Sequence, residues 1–228
     1  MTHRRVGVFG GTFDPPHLGH LLLAETIREQ FELDEVLFVP CNEPPHKERP
    51  DLTAATHRYA MVVAATLQNP AFSPSALEVN RPGKSYSIDT VRALGDELGG
   101  DTRLFLVAGL DSFLQIETWK ESEALLEACS FIVVSRPNSS FDRVREVLPE
   151  SVHARLVDTR GEAATDTDSN DLHIYLSDAV HFNLSSTEIR RRARGGESNR
   201  YRVTSEVEQY IRTHELYTAS PVAAEAVT

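Results

Sequence analysis

The feature that most limits how this chain can fold is an alternation of short apolar runs with longer stretches of helical spacing. Arg5–Phe9 reads as a strand and ends in a turn at Gly10-Gly11. After a proline pair, Leu21, Ala24, Ile27, Arg28 and Phe31 recur at about 3.6-residue spacing in a helical pattern from about His17 to Phe31. Glu35–Pro40 is a second strand, and strand–helix–strand units of this kind build parallel sheets. The alternation continues with a helix from Thr53 or Ala54 to Leu67, a strand near Ser75–Val79 and a helix from Ser87 to about Leu98. A strand over Thr102–Ala108, a helix near Glu121–Ala128 and a strand over Ser130–Ser135 follow. The runs TRLFLVA and SFIVVS are continuously apolar, as strands covered on both faces are. Ala154–Val157 and Ala179–Phe182 are expected as edge strands, and helices over Ser186–Arg194 and Val203–Thr213 close the fold. The expectation is an α/β fold, a parallel sheet with helices on both faces. It forms one domain over residues 1–218, with residues 219–228 as a disordered tail.

Composition narrows the partners. The 228 residues carry 34 acidic against 23 basic side chains, a net charge of −11. That balance disfavours nucleic acid and anionic membrane surfaces, which attract basic proteins. A phosphate site is not disfavoured, because it is local and needs few residues. Cys41 and Cys129 are far apart and read as small buried residues, not a disulfide or metal pair. No signal segment or membrane span is visible, so the expected location is the cytoplasm. The acidic stretch Asp158–Asp171 reads as a solvated loop, since nothing in it fixes an oxygen cage for a cation. A homo-oligomer is compatible with the chain.

Three separated segments point to one site. Gly10-Gly11-Thr12-Phe13-Asp14-Pro15-Pro16-His17-Leu18-Gly19-His20 joins a buried strand to a helix, the place where open parallel sheets bind ligands. Glycine lets the backbone approach a ligand closely, and a helix start offers unpaired N–H groups to an anion. His17 and His20, three apart, are expected on one face of the first turn, donating to a polyphosphate and able to carry charge near neutral pH. Zinc ligation and a satisfied structural role are the competing readings; for zinc, neither an H-E-x-x-H frame nor a cysteine cluster accompanies the pair.

The second segment, Leu184-Ser185-Ser186-Thr187-Glu188-Ile189-Arg190, has the hydroxyls of an N-cap before a helical run. It reads either as simple capping or as a second phosphate-binding helix start, to which Arg190 adds a forked contact. Arg191 and Arg192 read as solvent-facing. The third is Gly109-Leu110-Asp111-Ser112, past the strand TRLFLVA. Asp111 suits either ribose hydroxyls or a helix N-cap, and Trp119 either a stacked heterocycle or the core.

These segments resemble the bacterial nicotinate-mononucleotide adenylyltransferases of the H-x-G-H nucleotidyltransferase superfamily. GGTFDPPHLGH matches the opening motif, and LSSTEIR matches I-S-x-T-x-x-R with Leu184 for the usual Ile. VPCNEPPHK, SYSIDT (Ser85 and Ser87 standing where threonines are usual), GLDS followed by TW, SRP and YIRTHELY also match. The resemblance runs from about Arg4 to Tyr217 and is weakest between residues 139 and 178.

The resemblance implies a Rossmann-like fold and a reaction of ATP with nicotinate mononucleotide, giving nicotinate adenine dinucleotide and pyrophosphate with Mg²⁺. It implies that Gly10, Gly11, Thr12 and Phe13 line the ATP site and that His17 and His20 contact its phosphates, His20 nearest the α-phosphate. Ser185, Thr187 and Arg190 would hold the β- and γ-phosphates, Gly109 and Asp111 the ribose, and Arg136 would lie beside the adenine. Thr12, Lys47, Ser85, Tyr86, Asp111 and Trp119 would hold the mononucleotide, with Tyr86 and Trp119 framing its ring. Nothing in the sequence supplies a nucleophilic side chain, and none is needed if the substrate's phosphate attacks the α-phosphorus. His20, Lys47 and Arg190 then supply positive charge beside Mg²⁺, and positioning does the rest. The rivals are another adenylyl- or cytidylyltransferase, such as one acting on phosphopantetheine, and a non-catalytic nucleotide sensor.

Overall fold

The computed structural model describes residues 3–45, 50–135, 141–160, 171–178 and 184–218. The elements in chain order are β1 (Arg4–Gly11), α1 (Leu18–Gln30), β2 (Glu35–Pro40), α2 (Ala55–Thr66), β3 (Phe72–Pro74), α3 (Ser87–Leu98), β4 (Thr102–Gly109) and α4 (Leu110–Phe113). They continue with α5 (Ser122–Leu126), β5 (Ser130–Val134), β6 (Leu156–Asp158), β7 (Ile174–Ser177), α6 (Ser186–Arg194) and α7 (Ser205–Thr213). The strands form one seven-stranded sheet in the order β3-β2-β1-β4-β5-β7-β6. Every pairing is parallel. Strand order reverses between β1 and β4, which pair from Arg4↔Thr102 to Phe9↔Val107. Both strands end in glycine there, and this switch point is where a doubly wound sheet leaves a crevice.

Alternate residues of the central strands feed two apolar layers. Phe9, Phe38, Phe105 and Ile132 meet Ala24 and Ile27 of α1, Phe31 at its C-terminal cap and Val62 of α2 on one face. Val8, Val39, Leu106 and Val133 meet Ile88, Val91 and Leu94 of α3, with α4 and α5, on the other. Helices on both faces explain why β4 and β5 carry no polar alternation. A third cluster, Met61, Ala65, Ile189, Val203, Val207 and Ile211, joins α6 and α7 to the outer side of α2.

The differences from the sequence reading lie at the edges. The strand expected at Ser75–Val79 is Phe72–Pro74, after which Ser75 and Leu77 enter a turn stabilised by the Leu77 N–H on Ser75 Oγ. Pro74 is tolerated because β3 is an edge strand. Residues 154–155 belong to a 3₁₀ turn, Glu150–Arg155, so that strand starts at Leu156. The expected strand at 179–182 lies outside the described residues. The last strand that is described is β7, fully buried and immediately beyond the acidic stretch. His17 is the N-cap of α1 and not part of its first turn. Among the described residues no helix is long and apolar enough to cross a membrane.

Candidate nucleotide site

His17 is held in extended backbone (φ −143°, ψ 167°), and its Nδ1 accepts the N–H of His20 at 3.3 Å. In return, His20 Nδ1 accepts the N–H of His17 at 3.1 Å. This is a reciprocal capping box in which imidazoles replace the usual Ser/Thr and Glu/Gln. The rings stack with centroids 3.6 Å apart. The glycine of H-x-G-H permits this: a Cβ at Gly19 would lie 3.1 Å from His17 Nδ1 and 3.6 Å from Leu184 Cβ. Because each Nδ1 is an acceptor, each neutral ring carries its proton on Nε2, which makes both Nε2–H groups donors.

Those donors are not cations in the free protein. Burial lowers the His17 pKa to about 4, and burial together with repulsion from His17 holds His20 well below its usual value. The expectation that the pair carries charge near neutral pH is therefore corrected: charging would require taking a cation out of water beside another imidazole. Phe13, at φ 47°, turns its ring into the core, in edge contact with His20 at 5.1 Å and Phe9 at 5.6 Å. Phe13 can meet a ligand only through its backbone.

The start of α6 is attached directly to the same loop. Ser186 Oγ donates to the Pro15 carbonyl at 2.8 Å, and Arg190 Nη1 to the Asp14 carbonyl at 2.7 Å. The Arg190 guanidinium, 7% exposed, also lies 3.8 Å from the Asp14 carboxylate and donates to Thr187 Oγ1 at 3.3 Å. Asp14 is 1% exposed and accepts the Tyr217 hydroxyl at 2.7 Å, so the last motif of the chain is fastened to the first. Ser185 is the N-cap, its hydroxyl accepting the Glu188 N–H, while Thr187 is exposed. Arg191 is exposed and paired with Glu188 and Glu197, as a solvent-facing residue should be, whereas Arg192 is only 19% exposed, paired with Glu197 and bonded to the Ser198 carbonyl.

Between these helix starts, a Cβ at Gly10 or at Gly109 would meet nothing within 4 Å, so the adjoining strand ends face open space. Asp111 is exposed in the first turn of α4, whose N-cap is Gly109, which removes the N-cap reading of Asp111. Trp119 is half-buried against the core and Tyr86 is the N-cap residue of α3. Ser85 is buried, its Oγ accepting the Asn42 N–H at 2.9 Å and its own N–H donating to the Glu43 carbonyl at 2.9 Å. Lys47 and Arg136 lie outside the described residues.

Arg58 is the functional-site residue that motif reasoning missed. Fully buried, it donates to the carbonyls of Thr53 at 2.8 Å, Thr12 at 2.9 Å and Asn42 at 2.8 Å. It thereby ties the opening loop to the β2–α2 loop, and through Asn42 to Ser85. The signal was present in the sequence: positions 58, 61, 62 and 65 form the buried stripe of α2, and an arginine there needs internal partners.

Residues 8–192 match the family described as cytidylyltransferase-like. A Thermoanaerobacter sp. protein described as "Probable nicotinate-nucleotide adenylyltransferase" is 38% identical over 213 residues, spanning 93% of this chain and 94% of that one. A Geobacter sulfurreducens protein with the same description is 40% identical over 213 residues, 93% of this chain and 98% of the relative. Among solved structures, Plasmodium falciparum nicotinic acid mononucleotide adenylyltransferase complexed with NaAD matches with a TM-score of 0.70 at 19% identity. That match covers 94% of this chain and 98% of the other, and is a likeness of fold. With a parallel sheet whose switch point gathers two helix starts, and relatives matching nearly end to end, the chain belongs to the nicotinate-nucleotide adenylyltransferases within the cytidylyltransferase-like family.

Proposed function

We propose that this protein transfers the adenylyl group of ATP to nicotinate mononucleotide, releasing pyrophosphate and forming nicotinate adenine dinucleotide, a step of NAD biosynthesis. The observation that carries the reading is the bonding of the α6 start to the α1 start through Ser186–Pro15 and Arg190–Asp14. It supports a site in which neutral imidazole donors and a guanidinium share one opening at the ends of β1 and β4.

A phosphate oxygen of the mononucleotide attacks the α-phosphorus, a P–O bond to the leaving pyrophosphate breaks, and charge moves onto the leaving oxygens. The attacking phosphate is already ionised near pH 7, so no general base is required. The His20 Nε2–H is aimed at the α-phosphate, with His17 beside it. Ser185, Thr187 and Arg190 hold the outer phosphates, where the N-terminus of α6 adds about 0.3–2 kcal/mol. Gly10, Gly11, Thr12 and the backbone of Phe13 line the nucleotide, and Gly109 and Asp111 take the ribose. Lys47 and Arg136 keep the roles the resemblance implies. Among the described residues no group of three or more His, Cys, Asp or Glu side chains converges as a metal site. Mg²⁺ bound to the phosphates of ATP would offset their charge.

Pyrophosphate release should be measured with ATP and, in parallel, nicotinate mononucleotide, nicotinamide mononucleotide and phosphopantetheine. The nicotinate compound is expected to give the highest kcat/KM. Turnover with phosphopantetheine alone, or nucleotide binding without pyrophosphate release, would overturn the proposal.

A further inference from the structure

We propose that Tyr217 is a positioning residue, which acts through Asp14 to keep the Arg190 guanidinium from closing onto the Asp14 carboxylate and so holds it for the polyphosphate. The inference rests on the proposed function, in which Arg190 contacts the outer phosphates. Asp14 is 1% exposed and lies between the two side chains. Its Oδ1 accepts the Tyr217 hydroxyl at 2.7 Å, while its Oδ2 lies 3.8 Å from Arg190 Nη1, an ion pair too long for a hydrogen bond. Nη1 donates instead to the Asp14 main-chain carbonyl at 2.7 Å, and Nη2 to Thr187 Oγ1 at 3.3 Å. The chain bends to deliver Tyr217: Glu215 and Tyr217 both take left-handed backbone, at φ 50° and 62°. Non-glycine residues disfavour that conformation, and it persists only where surrounding contacts hold it.

Burial and the neighbouring carboxylate push the Tyr217 hydroxyl up from its ordinary pKa, so it stays protonated and acts as a donor. A buried carboxylate needs donors, because its charge has been taken out of water. With the hydroxyl on Oδ1, part of that need is met by a neutral group. Without it, the cationic donor beside Asp14 is the Arg190 guanidinium. The carboxylate would draw Nη1 from 3.8 Å into a direct charge-assisted bond. That bond would turn the fork inward and offset the charge that the outer phosphates otherwise meet.

A plain tether makes a different prediction. Tyr217 also packs against the apolar cluster of α2, α6 and α7, and loss of a tether does not depend on the charge of residue 14. Calorimetry on the full chain should compare a non-hydrolysable ATP analogue with nicotinate mononucleotide for wild type, Tyr217→Phe, Asp14→Asn and the double variant. Tyr217→Phe keeps the ring and its packing. It is expected to weaken the analogue about tenfold and the mononucleotide less than about twofold. Asp14→Asn removes the attracting charge, so adding Tyr217→Phe to it should change analogue affinity by less than about threefold. Unchanged analogue affinity in Tyr217→Phe, equal weakening of both ligands, or the same tenfold loss in the Asp14→Asn background would overturn the assignment. A wild type that binds the analogue but releases no pyrophosphate from ATP with nicotinate mononucleotide would contradict the proposed function instead, since the Tyr217 comparison is read from binding alone.

Discussion

At the start of α1 the capping groups are two imidazoles that accept each other's backbone N–H, while at the start of α6 the cap is a serine hydroxyl and the functional group is an arginine. The first arrangement is neutral and directional. Burial keeps both rings uncharged, and the shared Nδ1 acceptors fix where each remaining proton sits. The second carries permanent charge, held in place by the Asp14 carbonyl and the nearby carboxylate. In the proposed function the two helix starts would divide the work: one would offer aligned donors to a reacting phosphorus, the other a fixed charge to the tail that leaves.

If that division holds, the largest effect should follow loss of the directional donor. His20→Ala is expected to lower kcat by about 10²–10⁴-fold, the range for removing a positioned transition-state donor. Near-wild-type pyrophosphate release would break the comparison at its first term.

The neutral pair also predicts acid sensitivity. His17 titrates at about 4 when folded, against 6.5 when free, so the unfolded chain binds more protons between those values. Stability is full above pH 6.5 and falls as pH drops through that window, with about 2 kcal/mol lost at pH 5 from this residue. Urea unfolding at pH 7 and pH 5 reads it, and His17→Asn should reduce the difference, leaving the share that His20 contributes. A pH-independent midpoint in the wild type would mean that the imidazole is not desolvated.

At the charged start, Arg190→Ala should weaken ATP by about 10–100-fold and the mononucleotide much less, as expected for loss of a charge-assisted contact. Equal weakening of both in calorimetry would move Arg190 off the polyphosphate. The smallest expected effect is Gly19→Ala. Its methyl group meets the His17 ring at 3.1 Å, so the ring must shift, costing about 1 kcal/mol of stability and several-fold in kcat. An unchanged kcat would show that the stacked ring position is not needed.

The same contrast explains what the sequence revealed. Continuous apolar runs such as TRLFLVA announced their strands because burial on both faces leaves no room for polar residues. The short edges, β3 and β6, were placed a few residues off because a three-residue strand has too little pattern to set its ends. Motif spacing singled out His17, His20, Ser185, Thr187 and Arg190 as one site, and Ser186 and Arg190 of α6 are bonded to the loop that precedes His17. It could not show that the histidines are neutral, because that depends on burial by Phe9, Phe13 and the stacked partner ring. Nor could it find the framework beneath them. Asp14 is fixed by Tyr217, 203 residues away, and Arg58 holds Thr12 across 46 residues. Such long-range bonds leave no local trace except a charged residue on an apolar stripe.

The central claim, that neutral imidazoles and a guanidinium from separate helices hold one triphosphate, is tested most directly by ¹⁵N-detected NMR of the side chains during titration with a non-hydrolysable ATP analogue. In the free protein at pH 7, His17 and His20 should both show a protonated Nε2 and an unprotonated Nδ1. On titration, the His20 Nε2 and Arg190 guanidinium signals should shift along one binding curve with a single Kd. A charged imidazole in the free protein, or a His20 shift with Arg190 unmoved, would contradict the account.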